Sequence, residues 1–111
     1  MIKVISYIRR NPKLTHEEFR DYWTNVHVPL VRSKLPSLRL YKGSFPVPEA
    51  TGGRILSDAD AVVELGFDDL ETMDREMTGP LFMEAERQAS SAHLLDLDYV
   101  RSIVVEEIDV S

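Results

Sequence analysis

The pattern of apolar and polar residues switches between strand-like and helix-like periods along the chain. A β-branched and aromatic run at residues 2–8 predicts the first strand. Thr15 and Glu18 then form a capping box, which predicts the start of the first helix. The apolar stripe of that helix consists of Phe19, Trp23, Val26 and Leu30. We expect Pro29 to kink or end it, because proline lacks the amide proton and crowds the preceding turn.

The same pattern of apolar and polar residues predicts three more strands and a second helical segment. The strands are predicted at residues 38–45, 61–67 and 99–108. The long polar connection at residues 46–60 suggests a binding loop, a lid or a disordered segment. The second helical segment starts at residues 68–71 and is interrupted at 78–80. Its second piece places Phe82, Ala85, Ala89 and Ala92 on one face, and we expect these alanines to let the helix approach the sheet closely.

The element order β-α-β-β-α-β predicts an α+β, ferredoxin-like fold. With right-handed crossovers it gives a four-stranded antiparallel sheet with both helices on one face. A chain of 111 residues has room for one hydrophobic core, so we expect a single domain over residues 1–111.

Neither face of the predicted sheet is clearly polar. The first strand carries Ile2, Val4 and Ile8 on one side, and Ile5 and Tyr7 on the other. One layer of helices covers only one face, and a monomer should not expose an apolar patch of that size. We therefore predict a homodimer in which two sheets pack face to face. The alternative is a monomer whose second face is covered by the 46–60 connection and the termini.

Two segments of the chain resemble the EthD family. The first is residues 16–31, with the run Glu18-Phe19, Tyr22-Trp23, His27 and Pro29-Leu30. The second is residues 35–41, with a Leu-Pro turn before Leu38 and Tyr41. This resemblance covers the first two fifths of the chain, and the rest matches in layout. It implies the dimeric α/β-barrel group, whose relatives include lactone isomerases, polyketide cyclases, dehydratases and cofactor-free monooxygenases. Residues 90–96 depart from the family pattern, which has an acidic residue and a phenylalanine near the end of the second helix.

Charge and composition exclude several classes of function. The net charge is −6, with 13 basic residues scattered among 19 acidic ones, so we expect no nucleic-acid partner. The chain has no cysteine, which removes disulfides and thiolate metal sites. It has neither an apolar run of the roughly 18–20 residues that span a bilayer nor a signal-peptide pattern, so we expect a cytoplasmic protein without membrane contact.

His27 is the leading candidate for chemistry. It lies eight residues after Phe19, beside the apolar stripe, and should therefore point along the rim of the interface between helix and sheet. A histidine there can exchange a proton at neutral pH. The alternative is a half-buried structural histidine bonded to a backbone carbonyl. The match to the family's HxPL histidine favours a role in the site, with His27 as the candidate catalytic residue.

Four aromatic residues are candidate ligand contacts. Trp23 is expected either to form an apolar wall for a flat ligand or simply to fill the core. Tyr7 and Tyr41, on strands 1 and 2, could present phenol donors or pack with their hydroxyls at the edge. Phe67, at the end of strand 3, is the fourth predicted ligand contact.

The remaining titratable residues give weaker signals. His93 is expected to interact with the dipole at a helix end, and His16 to lie on the surface. Glu64 is either a paired carboxylate at the dimer interface or an acid with a raised pKa. The three histidines are 11 and 66 residues apart, which is unlike a zinc site, and no glycine-rich phosphate loop is present, so we expect no metal and no cofactor.

Two hypotheses for the function remain open. The first is a cofactor-free enzyme that uses His27 for proton transfer on a hydrophobic oxygenated molecule such as a lactone, a polyketide or an aromatic intermediate. Under this hypothesis the reaction is an isomerisation, a cyclisation or a dehydration. The second is a non-catalytic protein that binds a small apolar or aromatic ligand, or that serves a monooxygenase or degradation pathway as an accessory.

Overall fold

A four-stranded antiparallel sheet forms the centre of the molecule, as predicted. The computed structural model describes residues 1–47 and 58–111. The strands are β1 (Ile2–Ile8), β2 (Leu40–Ser44), β3 (Ala61–Phe67) and β4 (Arg101–Glu106), in the sheet order β2-β3-β1-β4. β2 and β4 are shorter than predicted. Most of the 46–60 connection, predicted as a loop or lid, lies outside the described residues.

The first helix and the helix after the third strand begin where local capping signals predict them. The helical segments are α1 (His16–Tyr22), a π-helical turn (Trp23–His27), α2 (Val28–Lys34), α3 (Leu70–Met77) and α4 (Ala85–Leu94). The amide of Glu18 donates to the Thr15 hydroxyl at 3.1 Å, and the amide of Thr15 donates to the Glu18 carboxylate at 2.9 Å. This pair confirms the predicted capping box. Asp69 caps α3 by accepting from the amide of Thr72 at 2.8 Å.

Pro29 disturbs the first helix without ending it. The amide of Val28 bonds to the carbonyl of Trp23, five residues earlier, instead of the usual four. This wider turn immediately precedes Pro29, which occupies the first turn of α2, where its missing amide proton costs little. The chain then continues as a helix to Lys34.

The core lies between the helices and one face of the sheet, in two clusters. The first joins Val4 and Phe67 of the sheet to α2 and α3. The second joins Ile8 and Ala61 of the sheet to Phe19 of α1 and Leu94 of α4. The two clusters fix the helices over the sheet, so α1, α2 and α4 meet above β1 and β3.

The predicted orientation of α4 was wrong. Ala85, Ala89 and Ala92 are exposed, whereas Ser90 and Leu94 are the buried residues of this helix. Leu94 has the largest apolar side chain in α4, and its burial sets the rotation of the helix. Because alanines gain little from burial, they do not decide which face turns inward.

The opposite face of the sheet carries apolar side chains that the helices do not cover. Ile103 is 57 % exposed and Tyr7 is 44 % exposed there. Lys3 lies on the same face but is buried, with Nζ 3.2 Å from Glu64 and 2.5 Å from Glu107. Glu64 is therefore a paired carboxylate. No helix in the described ranges has the length and apolarity needed to cross a membrane.

Candidate functional site

His27 closes the π-helical turn and turns its side chain inward. The residue is 7 % exposed, while Asn25 and Val26, just before it, are exposed. It packs toward α4, whereas the sequence placed it at the rim of the interface between helix and sheet. Turns of this kind are frequent at functional sites, because the extra residue redirects the side chains that follow.

Ser90 of α4 joins His27 to Tyr22. The Ser90 hydroxyl oxygen lies 2.9 Å from Nδ1 of His27 and 3.1 Å from the Tyr22 hydroxyl. The serine has one proton to donate, so it donates either to the imidazole or to the phenol and accepts from the other when that group carries a proton. The three side chains form a hydrogen-bonded row from the first helical segment to the second.

The second ring nitrogen of His27 remains open. Nε2 makes no hydrogen bond to residues 1–47 or 58–111. Within those ranges, the only side-chain nitrogen or oxygen that is both fully enclosed and unpartnered is Nε of Arg10. Nε2 is therefore not sealed from solvent. Ser90 thus fixes the ring through Nδ1, while Nε2 has no hydrogen-bond partner in the described ranges.

The imidazole is held in its neutral form. Burial, and after it the positive charge of Arg87, lower the pKa of His27 from 6.5 to about 4. At neutral pH the ring therefore carries one proton, and its two nitrogens act as one donor and one acceptor. Such a ring can donate to a carbonyl oxygen or accept a proton, although its basicity is low.

A groove opens between the two helical segments beside Ser90. It has a volume of about 490 Å³. Its lining residues are Tyr22, Val26, Leu30, Glu86, Ala89, Ser90 and His93. The His93 ring packs on the Tyr22 ring with centroids 4.5 Å apart, which goes beyond the expected interaction with the helix dipole. The groove is mainly apolar, and its polar groups are the Tyr22 and Ser90 hydroxyls, the His93 ring and the Glu86 carboxylate. His27 is not one of the lining residues and adjoins the groove through its bond to Ser90.

Trp23, at the other end of the π-helical turn, packs on the sheet. Its ring meets Tyr41 and Phe45 edge-on, with centroids 5.6 Å away in both cases. A Cβ atom added to Gly43 would lie 2.4 Å from this ring, so the indole rests directly on the β2 backbone. Burial raises the pKa of the Tyr41 phenol. Of the two roles open to Trp23, these contacts favour core packing.

The other predicted contacts do not join this group. Tyr7 lies on the opposite face of the sheet, separated from His27 by the sheet itself. Phe67 is 0 % exposed and packs in the core, so it has no surface to offer a ligand in this conformation. His16 is exposed and lies 3.4 Å from Asp60, on the surface as predicted. The predicted site residues therefore occupy three separate places.

A larger cavity of about 690 Å³ lies at the start of α1. Phe19, Arg20, Phe45 and Pro46 are among its lining residues, together with residues 58–60. Pro46 and Asp58 lie at the two edges of the described ranges, so the cavity borders residues outside them. Within the described ranges, no three His, Asp or Glu side chains are grouped as a metal ion would require.

Sequence reasoning missed three members of the site around His27. Ser90 is 63 residues away from His27, and no local pattern connects the two. Tyr22 was named only within the family-like run of the first helix, and Arg87 is one of 13 basic residues scattered along the chain. The one available signal for Ser90 was its position on the same face of α4 as Leu94. The predicted orientation of α4, which turned the alanines toward the sheet, concealed this signal.

Comparison with known proteins agrees with this fold. A family model described as "EthD domain" matches residues 11–98. An EthD family protein from Bacillus halodurans is 23 % identical over 97 % of this chain and 99 % of its own, with a TM-score of 0.66. HapK from Hahella chejuensis is 17 % identical over 100 % and 96 %, with a TM-score of 0.70.

A dimeric protein of unknown function and ferredoxin-like fold from Bacteroides fragilis is 12 % identical over 96 % of this chain and 95 % of its own, with a TM-score of 0.62. No match was found among the curated proteins. At these identities the similar structures support the fold alone.

Proposed function

The chain belongs to the EthD family, and we propose that it binds a small hydrophobic oxygenated molecule and transfers a proton on it through His27. The molecule belongs to the class of lactones, polyketides and aromatic intermediates. The reaction is an isomerisation, a cyclisation or a dehydration, and it uses no cofactor.

The hydrogen bond between Ser90 and Nδ1 of His27 carries this proposal. It holds a buried imidazole in one orientation, while Nε2 has no hydrogen-bond partner in the described ranges and is not sealed from solvent. Because Nε2 is not sealed from solvent, it can exchange a hydrogen bond with water for one with a ligand, whereas Nδ1 is held by Ser90. One anchored nitrogen and one open nitrogen are the arrangement that proton exchange with a ligand requires.

The neutral ring suits a substrate that carries a carbonyl group. When Ser90 donates to Nδ1, Nε2 carries the proton and donates it to a carbonyl or enolate oxygen. When Nδ1 donates to Ser90, Nε2 has the lone pair and accepts a proton from carbon or oxygen. Tyr22 accepts or donates in the complementary sense, so the Tyr22–Ser90–His27 row accommodates both forms of the ring.

Hydrogen exchange on an enolisable aromatic ketone tests the proposal. The probe is 2-tetralone in D₂O, with the exchange of its α-protons followed by NMR. We expect the protein to accelerate exchange over buffer and His27→Gln to abolish the acceleration. His16→Gln, which changes an exposed histidine, is the matched control and should behave as the wild type. Equal acceleration by the wild type and by folded His27→Gln would remove the catalytic role.

The low pKa of His27 favours a second function, in which the protein only binds its ligand. A base whose pKa is about 4 is poorly matched to proton abstraction at neutral pH. In that case the row of hydroxyl and imidazole groups orients the ligand without reacting. Saturable binding of 2-tetralone with no acceleration of exchange by the wild type would select this alternative.

The proposal includes a homodimer formed through the uncovered sheet face. Ile103 and Tyr7 leave apolar surface there, and a protein of similar fold is described as dimeric. We expect light scattering after gel filtration to give twice the mass of the chain. Ile103→Lys should shift the protein toward monomer, whereas Val26→Lys, at an exposed valine on the helix side, should not. A monomeric wild type would remove this part of the proposal.

A further inference from the structure

Arg87 of α4 is a half-buried cation whose hydrogen bonds all go to neutral groups. Its Nε donates to the carbonyl of Phe82 at 2.8 Å, and Nη1 donates to the Ser91 hydroxyl at 3.2 Å. Nη2 lies 3.6 Å from the sulfur of Met83. In the part of the chain that the structure describes, no carboxylate pairs with this guanidinium. Removing a charge from water is costly, so a carboxylate partner would further stabilise this partly buried guanidinium.

The nearest carboxylates along the helix are bound elsewhere. Glu84 and Glu86 lie at 2.5 Å and 3.5 Å from Nζ of Lys34, which links α4 to α2. The chain as a whole has 19 acidic residues for 13 basic ones, so acidic groups are abundant. The missing counter-charge at Arg87 is therefore a local property of the site.

The guanidinium is held in place before any ligand arrives. It lies over the Phe82 ring, 4.1 Å from the ring centroid, and Phe82 packs against the core. With one donor used on each nitrogen, one N–H remains on each of Nη1 and Nη2. A planar group fixed by a ring and a backbone carbonyl loses little conformational freedom when it binds an anion.

Arg87 also lies next to the histidine site. It precedes Ser90 by three residues on α4, a spacing that puts the two Cβ atoms about 5–6 Å apart. Its charge acts on His27 strongly enough to contribute to the lowered pKa of the imidazole. A negative group bound at Arg87 would therefore lie on α4 near Ser91, the residue that follows Ser90, and within the electrostatic reach of His27.

We infer that Arg87 binds the carboxylate of the ligand, so that the molecule taken by this site is a small hydrophobic carboxylic acid. The inference rests on the proposed function, because it names the class of molecule that His27 meets. Arginine matches a carboxylate through two parallel N–H donors. Arg87 is not a lining residue of the groove, so the carboxylate would be held on α4 outside it and supply the counter-charge that Arg87 lacks. The apolar groove residues would contact the hydrocarbon part of the acid.

A pair of probes of equal shape tests this inference on the full chain. The probes are 2-naphthoate and its neutral counterpart 2-naphthamide, and their affinities are measured by isothermal titration calorimetry. We expect the wild type to prefer the acid by about 10-fold or more, since hydrogen bonds to charged groups contribute more than neutral ones. Arg87→Gln should remove the preference, and Arg87→Lys should keep part of it because the charge remains.

Arg39→Gln is the control, because it removes the same charge from an exposed arginine that pairs with Asp68. It should keep the full preference for the acid. Equal affinity of the wild type for the two probes, no binding of either probe, or an intact preference in Arg87→Gln would overturn the inference.

A change of molecular mass in Arg87→Gln would assign this arginine to a contact between copies and would also overturn it. The exchange of neutral 2-tetralone requires no anion site. It therefore tests the role of His27 separately from the role of Arg87.

Discussion

The two ends of the π-helical turn place their aromatic side chains in opposite kinds of environment. Trp23, at the start, packs against Tyr41, Phe45 and the bare backbone of Gly43. His27, at the end, lies between the two helical segments and hydrogen-bonds to Ser90. The first contact is apolar and links helix to sheet, whereas the second is polar and links helix to helix.

Within one five-residue turn, Trp23 therefore contributes to the stability of the fold, whereas His27 is held in a polar environment suited to chemistry. The packing around Trp23 gains free energy from area and ring geometry, and it tolerates no gap. The environment of His27 costs free energy, because a group with an ordinary pKa of 6.5 is kept neutral by burial. The predictions below test whether the two ends respond as differently as their contacts imply.

The largest effect is expected at the apolar end. Trp23→Ala should lower the free energy of unfolding by about 3 kcal/mol, because truncation leaves a cavity next to Tyr41 and Phe45. Asn25→Ala, at an exposed position in the same turn, should change it by less than about 0.5 kcal/mol. Urea unfolding followed by circular dichroism measures both. A small loss for Trp23→Ala would mean that the indole is not part of the core.

Gly43→Ala should disturb the same contact from the sheet side. The added methyl group would stand 2.4 Å from the indole, so the ring has to move, at a cost of about 2 kcal/mol. In a Trp23→Ala background the clash disappears, and the additional cost of Gly43→Ala should fall to nearly zero. Additive effects of the two substitutions in urea unfolding would contradict direct contact.

At the polar end, stability should depend on pH through His27. The folded-state pKa of about 4 lies below the unfolded value near 6.5, so the unfolded chain binds the proton more readily between these values. The contribution of neutral His27 to the free energy of unfolding is therefore fully present above pH 6.5 and is lost as the pH falls toward 4. Between pH 7.5 and 5 the wild type should lose about 2 kcal/mol more than His27→Gln. Parallel urea-unfolding curves for the two proteins would contradict a neutral buried imidazole.

The fold was readable from the sequence because its signals are local. Thr15 and Glu18 specify a helix start within four residues, and the β-branched runs at 2–8 and 61–67 specify strands by composition. The orientation of α4 was not readable. A helix rich in alanine has a weak apolar face, and the burial of Ser90 and Leu94 is decided by what they meet across the fold.

The site could be predicted only where it lies within one segment. His27 was selected from the family-like helix, but its hydrogen-bond partner comes from the other half of the chain. Tyr7 and Phe67 were predicted as ligand contacts on strands, although the sequence does not say which face of the sheet meets the helices. The structure separates them, since Tyr7 lies on the uncovered face and Phe67 in the core.

A smaller effect is expected when the row of hydrogen bonds is cut at its centre. Ser90→Ala leaves Nδ1 of His27 and the Tyr22 hydroxyl without their shared partner, and should cost about 1.5 kcal/mol. Tyr22→Phe removes one hydroxyl and keeps the ring contact with His93, so it should cost about 0.5 kcal/mol. Once Ser90 is alanine, Tyr22→Phe should cost almost nothing further, which a double-mutant cycle in urea measures. Full additivity would show that the bonds are independent.

The smallest effect separates the two causes of the low pKa of His27. Burial is the larger cause and the charge of Arg87 the smaller, so Arg87→Gln should raise the pKa of His27 while leaving it below 6.5. The imidazole Cε1 proton, followed by NMR across the pH range, reports this shift directly. Arg39→Gln removes a charge of the same sign from an exposed position and should leave the titration unchanged. An unchanged pKa of His27 in Arg87→Gln would place the guanidinium too far from His27 for the two to share a ligand. A pKa of 6.5 in this variant would mean that the charge of Arg87, and not burial, distinguishes the His27 end of the π-helical turn from the Trp23 end.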